Sequence, residues 1–153
     1  MSQKSVYSQQ LESYKTANVT VQKTRQLVML YDAVIRLLKQ ARLAMEEKRF
    51  EDRFNFLAKA GNIISGLHGA LDFEKGGEIS HMLNNYYFAI DMRMMDLNRS
   101  NSVADCDGII EEVKMMREAW EKIDQELSLP IGAAKTPEEA KDKAEKISAD
   151  FSA

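Results

Sequence analysis

Cysteine, proline and long apolar runs are all scarce in this chain of 153 residues. With one cysteine, Cys106, no disulfide can form within the chain, which excludes the small secreted folds that depend on disulfides. Both prolines, Pro130 and Pro137, lie in the last quarter, so no proline interrupts a helix before residue 130. No run of about 20 apolar residues occurs, and we therefore expect no membrane insertion.

An excess of one charge is absent as well. The net charge is −3 at pH 7, with basic and acidic residues mixed throughout, so we expect no nucleic-acid partner. Residues 1–5 lead into polar sequence rather than into the apolar core of a secretion signal, which predicts a cytoplasmic protein. The Gly76-Gly77 pair lacks the glycine spacing and the lysine of a phosphate-binding loop, and we expect no cofactor.

Apolar residues recur at spacings of three and four before Pro130, and this period predicts helices. Short joins between consecutive helices make them antiparallel neighbours, so the predicted fold class is an all-α, antiparallel four-helix bundle. The predicted helices run roughly over residues 24–48, 51–73, 77–98 and 103–127.

The predicted bundle has a segment on either side. Residues 1–23 are polar with a few apolar anchors and predict a mobile N-terminal arm before the bundle of residues 24–128. In the tail, residues 129–153, Thr136 is followed by Pro137 and Glu139, which is a helix-start pattern. A short extra C-terminal helix is therefore expected.

Two helices show the core pattern most clearly. The fourth carries a seam typical of bundle packing, made of Cys106, Ile109, Val113, Met116, Trp120, Ile123 and Leu127. The second predicts a wide buried face that includes Phe50, Phe54, Leu57, Gly61, Ile64, His68 and Leu71.

More apolar surface is present than a core requires. Ten of the twelve residues from Leu27 to Leu38 are apolar, although one buried helix face needs only about half as many. On the third helix, Phe88, Met92 and Met95 lie roughly opposite the apolar stripe from Ile79 to Met94 that predicts the core face. For the first helix, a place at the centre of the bundle would explain the excess. Otherwise the arm, the tail or a second subunit covers such rows, or they form a groove for a partner. Periodicity alone leaves these interpretations open.

Catalytic groups are few. Glu78 and His81 form one Glu-x-x-His motif, whereas a di-iron bundle site takes two such motifs, so we expect no metal centre. His68 is interpreted as a hydrogen-bonded, largely buried imidazole, and Cys106 as a buried structural thiol. The sequence therefore predicts a protein that is not an enzyme.

Ordered landmarks add a family resemblance. Over about residues 5–125 the chain resembles the flagellar secretion chaperones specific for flagellin, through the tyrosine-bearing arm and three motifs: Val28-Met29-Leu30-Tyr31-Asp32, Gly76-Gly77-Glu78-Ile79 and Arg117-Glu118-Ala119-Trp120. The resemblance implies a chaperone that binds the disordered C-terminal segment of flagellin and prevents its premature polymerisation. It also implies delivery of flagellin to a component of the flagellar export gate, and an arm that covers part of the groove.

Candidate contacts follow from the spare apolar rows and the resemblance together. They are Val28, Tyr31 and Ile35 on the first helix and Phe88, Met92 and Met95 on the third, with Tyr7 and Tyr14 as gate residues on the arm. The alternative is a self-associating structural or adaptor bundle, in which the same rows form a homodimer interface.

Overall fold

A computed structural model describes residues 7–8 and 21–127 of the protein. Residues 21–127 contain α1 (Val21–Glu46), α2 (Phe50–Gly69), α3 (Phe73–Ser100) and α4 (Val103–Leu127). Within that range the chain has helices and no strand, which confirms the predicted all-α bundle. The extra helix predicted in the tail and most of the predicted arm lie outside the described residues.

Two helix starts have a clear polar cause. The Asp72 carboxylate accepts hydrogen bonds from the backbone N–H groups of Glu74 and Lys75, both at 3.0 Å, so α3 begins at Phe73, four residues before the predicted Gly77. The Ser102 hydroxyl accepts a hydrogen bond from the N–H of Asp105 at 3.1 Å, and α4 begins at the next residue, as predicted.

The Gly76-Gly77 pair forms a kink within α3 rather than a turn before it. Gly77 has φ +51° and ψ −130°, a conformation that residues with a Cβ rarely adopt. At Gly76 a Cβ would lie 1.8 Å from the Ser80 hydroxyl oxygen, which is held by a 2.7 Å hydrogen bond to the Asp72 carbonyl. The two glycines therefore allow the first turn of α3 to fold against the helix that follows.

Cross-links between elements show that α1 and α4 run antiparallel. Near one end of the pair the Thr24 hydroxyl donates to Asp124 at 2.9 Å, and near the other end Arg42 donates to Asp107 at 2.5 Å. The buried Cys106 thiol adds a contact to the Leu38 carbonyl at 3.6 Å. This is one of the two most extensive helix pairings in the bundle, the other being α1 with α2.

On the far side, α3 runs antiparallel to both of its neighbours. His68 on α2 lies 2.5 Å from the Asn84 amide oxygen on α3, and Arg93 on α3 donates to Glu112 on α4 at 2.6 Å. The backbones of α3 and α4 approach each other least among the adjacent pairs. The bundle is therefore closed tightly around α1 and more loosely between α3 and α4.

The core confirms the predicted α4 seam and corrects the α2 face. In the α4 seam, Leu127 is partly buried and the other six side chains are buried. In α2 the prediction was wrong for Phe50 and Phe54, which are half exposed or more, because the buried row is Leu57, Ala60, Ile64 and Leu67. His68 is half-buried and paired with Asn84, in keeping with its expected hydrogen bond.

Candidate protein-binding surface

The outer face of α3 carries an exposed apolar row. Phe88, Met92 and Met95 are 60%, 52% and 61% exposed, although all three are large apolar side chains. They follow one another at i, i+4 and i+7, so they line the same side of the helix, opposite the buried Ile90 and Met94. We call these three residues the α3 row.

A shallow groove runs beside this row, between α2 and α3. It encloses about 340 Å³ and is lined by Phe54, Leu57, Ala58, Gly61, Asn62, Ser65, Asp91, Met94, Met95 and Asn98. Phe54 and Met95 bring exposed apolar surface to it from the two helices. A Cβ at Gly61 would lie 3.5 Å from the Asp91 carboxylate, an ordinary contact distance, so α2 and α3 approach closely at this point of the groove. The groove combines apolar walls with polar groups for orienting a bound chain.

Tyr7 covers the opposite side of α3, where α3 meets α4. Its ring packs edge-on against Tyr86 with centroids 5.8 Å apart, and it lies beside the Arg93–Glu112 ion pair. Burial raises the pKa of the Tyr7 hydroxyl, Glu112 raises it further and Arg93 lowers it. Thus one of the two predicted gate residues lies on the bundle, whereas Tyr14 lies outside the described residues.

Beneath Tyr7, the adjacent Tyr86 and Tyr87 are both buried in the core, but their hydroxyls differ in hydrogen bonding. The Tyr87 hydroxyl lies 2.7 Å from the Tyr31 hydroxyl, which links α3 to α1 diagonally across the bundle. The Tyr86 hydroxyl is buried and has no hydrogen-bond partner among the described residues. Burial raises the pKa of Tyr31 and of Tyr86 well above 10, since ionised phenolates would be poorly solvated there.

Comparison with known proteins identifies the family. The family model described as flagellar protein FliS matches residues 7–127. The flagellar secretion chaperone FliS of Salmonella typhimurium is 31% identical over 120 residues, which covers 76% of this chain and 87% of that protein. The FliS of Campylobacter jejuni is 27% identical over 113 residues, with 72% and 88% covered. The chain belongs to the FliS family of flagellar secretion chaperones.

This match spans the whole bundle and reaches Tyr7, so the cover and the α3 row both lie within the family region. Flagellar secretion chaperone FliSB of Pseudomonas aeruginosa is another relative, 31% identical over 99 residues, with 65% of this chain and 79% of that protein covered. The FliS family is a family of chaperones and not of enzymes.

The predicted α1 contacts need a correction in the light of the structure. Val28, Tyr31 and Ile35 are 2%, 0% and 9% exposed, so the expectation that they belong to a spare outer surface was wrong. The cause is the central position of α1, which packs against both α2 and α4 and therefore buries a face wider than one stripe. Contact of these residues and of the α3 row with a partner stays a prediction.

Exposed apolar groups that the sequence analysis missed lie elsewhere on α1. Met29, Leu30 and Leu43 are all exposed, and Leu43 closes a shallow hollow of about 400 Å³ lined by α1 alone, with Asp32, Ile35, Arg36, Lys39 and Gln40. In an apolar run as dense as Leu27–Leu38, periodicity does not separate the exposed positions from the buried ones. The only sequence signal was the excess itself.

The groups considered for catalysis are dispersed. Glu78 and His81 are both exposed, and His81 packs its ring 5.2 Å from Phe73. Across the described residues, no three His, Cys, Asp or Glu side chains gather closely enough to hold a metal ion. Burial raises the pKa of Cys106 to about 11, which keeps this thiol protonated at neutral pH. None of the helices in the described part of the chain is long and apolar enough to cross a membrane.

Proposed function

We propose that this protein acts in the cytoplasm as a chaperone for flagellin. It binds the disordered C-terminal segment of flagellin, prevents premature polymerisation and delivers the subunit to a component of the flagellar export gate. Membership of the FliS family supports this role. The observation that carries the proposal is the α3 row, a solvent-facing apolar strip beside a groove, on the helix whose opposite side is covered by Tyr7.

The physical basis is coupled folding and binding. A disordered segment gains enough apolar burial to order itself only when a partner supplies an apolar surface. Phe88, Met92 and Met95 supply that surface, and flexible methionine side chains adapt to the shape of an incoming chain. An amphipathic stretch of flagellin would then lie along α3 with its apolar side toward the row.

Replacing the three row residues by serine tests this proposal. The variant Phe88→Ser, Met92→Ser, Met95→Ser should bind a synthetic peptide of the flagellin C-terminal segment at least about tenfold more weakly, since about 1.4 kcal/mol accounts for tenfold. Its unfolding free energy should change little, because all three side chains are exposed. Isothermal titration calorimetry measures the affinity, and a negative heat-capacity change should accompany wild-type binding.

The matched control is Met29→Ser with Leu43→Ser on α1. These side chains are comparably exposed, but they lie on the helix diagonally across the bundle from α3. The control should bind the peptide like the wild type. Equal affinity of the α3 row variant and the wild type, or no binding by either protein, would refute the proposed role of the row.

A self-associating bundle is the competing function, because the same exposed row could be covered by a second copy. Mass measurement in solution, with and without the flagellin peptide, separates the two. We expect a protein whose mass increases by one peptide. A stable dimer that ignores the peptide would favour a structural or adaptor role instead.

Removing the cover tests the proposed gate. Deleting residues 1–16 removes Tyr7 and should leave the bundle folded while raising the affinity for the peptide, because a segment that also reaches the α3–α4 side no longer has to displace Tyr7. Circular dichroism checks the fold and calorimetry the affinity. Unchanged or weaker binding by the shortened protein would count against a covering role for Tyr7.

A further inference from the structure

The two neighbouring tyrosines of α3 provide an internal contrast. Tyr87 is 1% exposed and its hydroxyl shares a hydrogen bond with Tyr31. Tyr86 is 8% exposed, yet its buried hydroxyl has no hydrogen-bond partner among the described residues. A buried hydroxyl without a partner destabilises the folded state, because it loses its hydrogen bonds to water on folding and gains none within the protein. Such a group in a folded protein needs an explanation.

The cover does not satisfy this hydroxyl. Tyr7 meets Tyr86 with its ring, at an interplanar angle of 72°, which is an aromatic edge contact rather than a hydrogen bond. The neighbouring ion pair does not hydrogen-bond to the Tyr86 hydroxyl either, since Arg93 donates to Glu112 at 2.6 Å. Tyr7 and Tyr86 both lie near this ion pair, on the side where α3 meets α4.

We infer that the Tyr86 hydroxyl is a reserved hydrogen-bond donor, meaning one that stays unused until a partner binds. Tyr7 shields it from water in the free protein. The partner chain that displaces Tyr7 then accepts its hydrogen bond with a carbonyl oxygen. This inference rests on the proposed function and adds a polar selection to it. If apolar burial alone decided binding, any apolar segment could replace Tyr7. A segment that also presents a carbonyl gains a hydrogen bond from the Tyr86 hydroxyl, which Tyr7 does not make.

The chemistry of the hydroxyl also constrains the shape of the occupant. In the interior of a helix every backbone carbonyl already accepts a hydrogen bond from the chain itself. Free carbonyls occur in extended stretches and in the last turn of a helix, or on asparagine and glutamine side chains. At Tyr86 the bound segment is therefore extended, ends a helix, or presents an asparagine or glutamine side chain, which adds a requirement that the apolar helical stretch along the α3 row does not have.

The variant Tyr86→Phe tests this inference, and Tyr87→Phe is its control. Removing the unsatisfied Tyr86 hydroxyl should leave the urea midpoint of the free protein unchanged or raise it, yet weaken binding of the flagellin peptide about three- to tenfold. Removing the Tyr87 hydroxyl breaks the bond to Tyr31 and should lower the midpoint while the folded protein binds the peptide with wild-type affinity. A reserved donor is thus indicated when Tyr86→Phe weakens binding without lowering the urea midpoint, while Tyr87→Phe lowers the midpoint without weakening binding.

Two results would overturn the inference alone. One is a midpoint that falls in Tyr86→Phe as far as in Tyr87→Phe, which would show that the hydroxyl is already bonded in the free protein. The other is an unchanged affinity of Tyr86→Phe for a peptide that the wild type binds. If the wild type ignores the peptide altogether, the proposed function fails and takes the role of the donor with it, so the two failures are distinguishable.

The same substitution in a shortened protein tests whether Tyr7 shields the Tyr86 hydroxyl from water. In the protein lacking residues 1–16, Tyr7 is gone and the Tyr86 hydroxyl can meet water. There the substitution Tyr86→Phe should no longer raise the urea midpoint, although it should still weaken peptide binding. A stabilising effect of the same size in both backgrounds would show that Tyr7 does not keep this hydroxyl dry, and would overturn that part of the inference.

Discussion

The α1–α4 side and the α3 face of this bundle are held together in different ways. Polar contacts join α1 to α4 near the start, the middle and the end of the pair: Thr24 with Asp124, Asp32 with Arg117, and Arg42 with Asp107. Between these contacts lie fully buried side chains such as Leu38, Cys106 and Trp120. The groups at the α1–α4 contact are therefore committed to one another.

The α3 face shows the opposite arrangement. It exposes the α3 row, relies on Tyr7 to cover Tyr86, and leaves one buried hydroxyl without a hydrogen-bond partner among the described residues. Under the proposed function, folding and recognition depend on different helices, so substitutions should separate the two properties. Stability should depend on α1 and α4, and partner binding on α3.

The largest effect is expected at Trp120. Trp120→Ala removes a side chain that is 1% exposed and should lower the unfolding free energy by about 3–5 kcal/mol, the usual range for a large aromatic residue in a core. Phe88→Ala, which truncates an exposed aromatic residue on α3, should change it by less than about 0.5 kcal/mol. Urea unfolding followed by circular dichroism gives both values. Similar losses in the two variants would remove the distinction between the helices.

A smaller effect is expected at Asp124, which is 5% exposed and accepts a hydrogen bond from the buried Thr24 hydroxyl. Asp124→Ala removes that acceptor from the end of the α1–α4 pair and should cost about 1–3 kcal/mol of stability. Asp124→Asn keeps an acceptor oxygen and should lose less. Peptide affinity should stay at the wild-type value in both variants, and a loss of affinity would show that the α1–α4 side also takes part in recognition.

The smallest effect concerns a single thiol. Burial raises the pKa of Cys106 from 9.0 to about 11, so the unfolded chain ionises first and the native state loses its advantage as the pH rises through this window. The stabilising contribution is complete below pH 9. Urea unfolding between pH 8 and pH 10.5 should therefore show a steeper loss for the wild type than for Cys106→Ala. Parallel curves, or rapid labelling of the folded thiol at pH 8, would contradict its burial in the α1–α4 seam.

Much of this fold was predictable because one rule governs most of it. The α4 seam follows a regular alternation of three and four residues, and six of its seven predicted side chains are buried. The start of α3 was missed because glycine is a poor helix former, so Gly76 and Gly77 indicated a stop. In the structure the Asp72 cap supports a first turn ahead of them, and the unusual backbone of Gly77 joins this turn to the rest of α3.

The binding surface was less predictable, since identical residue types serve as core and as surface. Phe54 and Val28 both fit an apolar helical period, yet Phe54 is exposed and Val28 is buried. Which of them faces the core depends on how many neighbours each helix has, and α1 has two extensive ones. The unsatisfied hydroxyl of Tyr86 had no sequence signal at all, because it depends on where the Tyr7 ring comes to rest.

The position of the sole tryptophan gives the molecule an optical reporter of its own. The Trp120 side chain lies close to the Tyr31 hydroxyl, Tyr31 hydrogen-bonds to Tyr87, and the rings of Tyr87 and Tyr86 lie 5.6 Å apart beneath Tyr7. Aromatic side chains thus follow one another from the single indole fluorophore in the interior to Tyr7 at the surface. If binding displaces Tyr7, as proposed, the emission of unlabelled protein should change as the partner binds.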